Sequence, residues 1–581
     1  MKKLSILLVV IFTSSLLLSQ SQKWLTPFEL SDGKSTAGYG ETIEYLKNLT
    51  VHTPYARLTV LGKSPQGRDI YCFMVSRDTL FTPADARKNG KTVVLIINGI
   101  HSGEIEGKDA TLLLLRDLLV DNKNQHLLDD IVLLVVPVFN IDGHERISPY
   151  NRINQDGPDN MGFRTNALNL NLNRDWVKAD APEMRLVLKL FSDWLPDFMV
   201  DNHTTDGADY QYTVTYGLER HGNIHPLIAR VVDSLFIPHL KARVEGDGYL
   251  IAPYVTLRDE IDKGMLDYAS TPRFSGGYAA VQNRISLLVE THMIKPFRER
   301  VYATKSVLEA VLSFVTGTGK NIREWNKEAD SLTAISYGIN KKYLPVAFTT
   351  ADTFDKYFDF RGFEYQKVYS EFSGAEKIVY TDKPFTKKIP FYDIVKAVDS
   401  VKPPSAYIIP PQYISLASVL RLHGVKIDTI DYPTEFEVTR YRFRDVKFAE
   451  RPYEGRNRAS YKYDEFSERV TVPAGSLIAK TNQRAVRVLM TALEPKSGDS
   501  FVSWGLMNAI FERKEYFEDY VMEKLIPDMV KENPELMKEF NKKLAEDEKF
   551  AKDPYGRLNF FYERSPYFDK NYNLYPIMRV E

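Results

Sequence analysis

The sequence predicts an α/β protein built on a mixed, largely parallel sheet flanked by helices, with additional α/β and β-rich units toward the carboxyl end. Three observations predict it. Strand-like and helix-like runs alternate from Thr92 to about Val315; several of the strands are continuous apolar runs, as strands covered on both faces are; and the texture changes after about Gly319.

Taken in order, "TVVLIING" from Thr92 reads as a buried strand and "GKDATLLLLRDLLVDN" as an amphipathic helix. "DIVLLVVPVFN" is a second buried strand, "PEMRLVLKLFSDWLP" a helix, "DFMVDNH" a short strand and "RISLLVETH" a last strand. In sheets of this kind ligands gather at the carboxyl ends of the strands. Beyond Gly319, "SAYIIPP", "YISLASVLRLHG" and "VKIDTIDYP" form a βαβ-like unit with Gly424 capping its helix. From about Phe436, "FEVTRYRFRDVKFAE" and "SERVTVPAGSLIA" alternate as antiparallel strands do, and helical "QRAVRVLMTALEP" and a charged, aromatic tail follow. The expected organisation is a first domain over 22–318, a small α/β domain over 319–434 and a β-rich and helical region over 435–581.

Composition narrows the function. A chain of 581 residues, 44% hydrophobic and 12% aromatic, has ample material for packed cores. Its 76 Lys and Arg balance 77 Asp and Glu, so no overall field draws it to nucleic acid or an anionic membrane. The opening "MKKLSILLVVIFTSSLLLSQSQKW" has the layout of a cleavable secretory signal over 1–21. Its apolar run is short for a bilayer span, and no other segment is long and apolar enough for one. Cys72 is the only cysteine, so no intrachain disulfide is available. A secreted or periplasmic, bacterial protein without a membrane span after signal cleavage is expected.

The chemistry starts at "NGIHSGEIEG", where His101 and Glu104 stand three apart directly after an apolar strand. Zinc hydrolases commonly use two His and one Glu and leave a fourth position for water. A His-x-x-Glu pair in a loop leading into a helix turns both side chains toward one ion, and His203 in "MVDNHTTDG" is the natural third ligand from a distant strand. The pair alone is weak evidence; its context strengthens it.

"VPVFNIDGHER", "RTNALNLNLNRDW", "VDNHTTDG" and "RISLLVETH" follow the His-x-x-Glu pair in one order. Together they resemble the M14 family of zinc carboxypeptidases over about residues 40 to 315. The resemblance implies a carboxypeptidase-like catalytic domain over 22–318, one zinc ion per chain, His101, Glu104 and His203 as its ligands, and a peptide substrate attacked by zinc-activated water. It implies Glu290 as the general base and Asn173 with Arg174 as the pair that grips the substrate's terminal carboxylate. Arg164 falls where the family has an oxyanion-stabilising arginine, with Arg152 as the fallback. Tyr268 lies about where the family has a mobile tyrosine, with Tyr278 competing.

Three residues near these positions are read separately. His292 shares a strand face with Glu290 and is given a supporting role, since three ligands already exist. Asn171 stands where the family often has an aspartate behind a ligand histidine; an amide still accepts the imidazole proton but adds no charge. Arg273, in "STPRFSGGY", falls between Tyr268 and Glu290 in a stretch that in the resembling family lines the pocket for the terminal side chain, and an arginine there implies a preference for acidic residues.

The expected function is a secreted zinc metallopeptidase releasing carboxyl-terminal residues. Its rivals are a zinc amidase acting on cell-wall muropeptides or acyl-amino acids, and a noncatalytic zinc- or peptide-binding protein.

Overall fold

The computed structural model describes residues 23–581, so the expected signal segment lies outside the described residues. The first half contributes β1 (Ala56–Lys63), β2 (Asp69–Val75), β3 (Thr92–Asn98), β4 (Ile131–Val136), β5 (Phe198–Thr205), β6 (Val214–Leu218), β7 (Ile251–Pro253), β8 (Met265–Leu266) and β9 (Ile285–His292). All but β8 form one eight-stranded sheet in the order β1-β2-β4-β3-β5-β9-β6-β7. Its centre, β4-β3-β5-β9, is parallel; β1, β2 and β6 join antiparallel.

Every residue of β3 and β4 is buried, which explains their lack of a polar face. Val94, Ile96, Leu133 and Val135 point to one side, against the helices Glu106–Leu119 and Phe297–Thr333. Val93, Leu95, Val132 and Leu134 point to the other, against Val187, Leu188 and Phe191 of the helix Pro182–Trp194. The parallel strands therefore end together, and the loops that follow β3, β5 and β9 share one rim.

The second half adds β10 (Leu344–Thr350), β11 (Lys356–Ser370), β12 (Ala375–Tyr392), β13 (Val395–Val401), β14 (Ala406–Ile409), β15 (Asp428–Thr429), β16 (Thr434–Phe448), β17 (Ala459–Val472), β18 (Leu477–Lys480) and β19 (Met578–Val580). β11 and β12 form a long hairpin that also pairs with β8. A six-stranded sheet runs β15-β18-β14-β19-β16-β17. The expected strand-helix-strand unit is present as β14, the helix Ile414–Leu422 and β15, with β18 inserted between the two strands.

The expected boundaries need correction. The 318/319 division falls inside the 37-residue helix Phe297–Thr333. Gly319 looked like a break, but a side chain there would meet Thr92 Oγ1 at 2.4 Å, so the glycine serves close helix-to-strand packing. The 434/435 division falls inside β16. Nor is the carboxyl half a separate lobe, because Val486, Leu489, Phe501 and Tyr575 belong to the same apolar cluster as the Pro182–Trp194 helix and β3.

This shared core makes a prediction. A chain ending after Thr333 strips that cluster of its second wall and should lose cooperative thermal unfolding, followed by circular dichroism; a sharp melt in the truncated protein would show that the first half folds alone.

Candidate metal centre and active-site cleft

β3 ends at Asn98, and Gly99, in the left-handed region at φ 65°, turns the chain so that His101 and Glu104 reach the rim before the helix Glu106–Leu119 begins. The Glu104 N–H donates to the His101 carbonyl at 2.9 Å, closing the turn that brings the two side chains together. His203 arrives from β5, which pairs directly with β3. The donor atoms of His101, Glu104 and His203 all lie within 4.8 Å of one another, and all three residues are buried.

The tautomers follow from the surroundings. Asn171 Oδ1 accepts the Asn173 backbone N–H at 3.0 Å, which identifies it as the oxygen, and His101 Nε2 lies 2.9 Å from it. That nitrogen therefore carries the proton, leaving the Nδ1 lone pair 3.1 Å from Glu104 Oε2. His203 Nδ1 is 2.9 Å from Glu104 Oε2, while its Nε2 stands 2.9 Å from Asp201 Oδ2, at ion-pair distance though off hydrogen-bond angle, and 3.5 Å from Asn173 Nδ2. Two imidazole nitrogens and a carboxylate oxygen thus converge, an arrangement that needs a positive charge between them. A zinc ion fits this donor set.

Burial lowers the His203 imidazole, but Asp201 and Glu104 reverse this and hold it well above its ordinary value. Burial pushes the Glu104 carboxyl up, yet His101, His203 and Arg152 hold it well below the usual carboxylate range. Arg164 Nη1 and Arg152 Nη2 stand 2.9 and 3.0 Å from Glu104 Oε1, so both arginines considered for the oxyanion role reach the same carboxylate.

The "NIDG" stretch builds the support for Arg164. Asn140 Nδ2 donates to the Arg164 carbonyl at 3.2 Å, and Asn140 Oδ1 accepts the Gly143 N–H at 3.0 Å. A side chain at Gly143 would meet the carbonyls of Thr165 and Phe163 at 2.6 and 2.7 Å, so only glycine lets the segments approach.

Glu290 sits on β9 in register with His203 on the neighbouring parallel strand. Its carboxyl, raised first by burial and then by Glu104 and Asp201 against the opposing pull of His203, is pushed up to about 8. Among the described residues no hydrogen bond or ion pair engages its carboxylate oxygens. His292, two residues on, stacks on Tyr210 with ring centroids 4.1 Å apart and stays out of the metal cluster.

A cleft of about 720 Å³ opens above these groups, lined among others by Glu290, Arg164, Asn173, Arg174 and Tyr268. Asn173 Oδ1 accepts the Ser275 N–H at 3.0 Å, while the Arg174 guanidinium lies over the Phe274 ring at 4.3 Å and donates to Tyr453 at 3.1 Å. Tyr268 is 53% exposed at the rim, whereas Tyr278 is fully buried against Trp176 and Phe191. Arg273 is held away from the cleft lining: it pairs with Asp499 at 2.6 Å and lies over Trp504, so the acid-selecting pocket expected from it is not formed. The sequence reading also missed Asp201. It stands two residues before His203, on the same strand face, and that spacing was a usable signal.

These features define a candidate zinc hydrolase. Residues 42–206 match the zinc carboxypeptidase family. Carboxypeptidase 2 of Trichophyton rubrum is 26% identical over 506 residues, covering 82% of this chain and 85% of the relative. Carboxypeptidase 2 of Trichophyton equinum is 26% identical over 511 residues, covering 83% and 86%. Among solved structures, a metallo-carboxypeptidase from Burkholderia cenocepacia superposes with a TM-score of 0.37 at 19% identity, covering 48% of this chain and 69% of that one. The chain therefore carries a zinc carboxypeptidase segment over residues 42–206 and is an enzyme of that type. Both relatives are fungal, which lends nothing to the expected bacterial source.

The geometry predicts that His203→Ala and Glu104→Ala each abolish zinc retention, measured by elemental analysis after dialysis, and that Asp201→Asn weakens zinc about ten- to a hundredfold in chelator competition. Full metal content in both alanine variants would refute the ligand set.

Proposed function

We propose that the protein is an exported metallopeptidase that binds one zinc ion per chain and removes single residues from the carboxyl ends of peptides. The observation that carries this reading is the register of β5 with β9, which sets the unpaired Glu290 carboxylate beside a metal-competent triad in the same cleft as Arg174. Export rests on the amino-terminal pattern of the sequence; among the described residues no helix is long and apolar enough to cross a membrane.

A bound zinc ion supplies Lewis acidity toward a water and toward the scissile carbonyl. Glu290 takes the proton of the attacking water and delivers it to the leaving amine. Arg164, partly exposed in the cleft, supplies charge to the developing oxyanion, with Arg152 beside it. Asn173 and Arg174 hold the terminal carboxylate, since a guanidinium presents paired donors to two oxygens. Tyr268, at the rim, covers the bound end.

Glu290→Gln should keep its zinc while hydrolysis falls at least about a hundredfold, because the amide preserves shape but moves no proton. Near wild-type turnover would give the base role to another group.

Terminus reading has its own test. Wild type should cut a free-acid peptide about thirtyfold or more faster than its carboxyl-amidated twin, and Arg174→Ala should slow the acid strongly and the amide little. Equal cutting of both by wild type, or release of internal fragments, would replace the exopeptidase reading with an endo-acting one.

A further inference from the structure

The turn that joins β16 to β17 comes from the carboxyl half of the chain, yet its tip reaches the loop that carries Arg174. Tyr453 and Arg456 exchange backbone hydrogen bonds at 2.9 and 3.1 Å around Glu454 and Gly455, whose φ values of 52° and 71° are both left-handed. Asparagine or glycine ordinarily occupies the first of these positions. A glutamate there is sustained by what its side chain gains. Glu454 Oε2 accepts the backbone N–H of Asn171 at 2.8 Å.

Two further contacts fix the tip on the same segment, and a third braces it within the carboxyl half. Arg174 Nε donates to the Tyr453 hydroxyl at 3.1 Å. Arg456 forks onto Asp180 at 2.9 and 2.5 Å. The Tyr453 ring stacks on buried Trp504, with centroids 5.8 Å apart and planes 10° from parallel. Among the described residues Arg174 otherwise meets the Phe274 ring and the carbonyl of Asn173, to which Nη1 donates at 2.7 Å. The loop carrying Asn171, Asn173 and Arg174 is otherwise a single short turn, Leu172–Arg174, whose Asn173 departs from helical dihedrals. Such a turn does not by itself fix a long arginine side chain.

We propose that Tyr453 and Glu454 are positioning residues: the carboxyl-half hairpin reaches across and holds the Asn171–Arg174 loop so that Arg174 meets a substrate's terminal carboxylate already oriented. The inference rests on the proposed carboxylate-reading role of Arg174. It gives residues beyond the family segment a part in the site, since residues 42–206 contain Arg174 but not the two groups that hold it. An arginine ordered before binding loses less side-chain entropy when the substrate arrives, so the contribution falls on substrate affinity rather than on the chemical step.

The test uses the full-length, zinc-loaded protein and two N-blocked peptides that differ only in a free-acid or amidated carboxyl end. Tyr453→Phe keeps the ring stack and removes only the acceptor of Arg174. It should raise KM for the acid about five- to tenfold with kcat within about twofold, leave the amide unchanged and leave the melting midpoint nearly unmoved. Glu454→Gln carries the same expectation in reduced degree, and serves if the first variant does not fold. Wild type that favours the acid, with variants that keep the same acid-to-amide ratio, overturns the inference alone. Wild type that treats acid and amide alike overturns the carboxylate-reading role and the inference with it.

Discussion

The Glu104 carboxylate is only 3% exposed, and the positions of the remaining cleft residues follow from how that charge is satisfied. A buried carboxylate left alone costs several kcal/mol even after relaxation, so it must be surrounded by positive charge. Here Arg152 and Arg164 approach one oxygen while His101 and His203 turn their Nδ1 atoms toward the other. The guanidiniums satisfy one side. The other side presents lone pairs, which is why the cluster suits a cation.

The scaffold makes this possible by stacking parallel strands whose ends coincide. β3 delivers the His101–Glu104 turn, β5 delivers His203 with Asp201 behind it, and β9 delivers Glu290 opposite His203. One register shift of a single residue in β9 would turn Glu290 to the other face of the sheet. The apolar runs that bury these strands are thus also what aims the polar residues at their ends. The carboxyl half shares the core on the face of the Pro182–Trp194 helix, which brings the β16–β17 turn to the rim of the cleft.

Legibility in the sequence tracked how local the signal was. The strands β3, β4 and β9 are readable because burial on both faces leaves apolar runs, β5 through its shorter apolar start, and two of the three flanking helices through their periodicity. The hairpin β11–β12 was not read at all: it projects with most of its residues solvated, so charges interrupt its alternation. His101, Glu104, His203 and Glu290 were singled out by order and spacing, and the structure brings them together. Arg273 and Tyr453 were beyond reach for another reason. Their partners Asp499 and Arg174 lie 226 and 279 residues away, and nothing local marks either contact. Tyr268 is preferred over Tyr278 from the sequence only by its position relative to the resembling family; the burial of Tyr278 against Trp176 separates them physically.

The proposed cation site between His101, Glu104 and His203 is tested by anomalous diffraction from crystals of the zinc-loaded protein, collected on either side of the zinc absorption edge. A single strong peak is expected between the Nδ1 atoms of His101 and His203 and the Glu104 carboxylate, with the Nε2 atoms still facing Asn171 and Asp201. A peak elsewhere on the chain, or coordination through the Nε2 atoms, would contradict it.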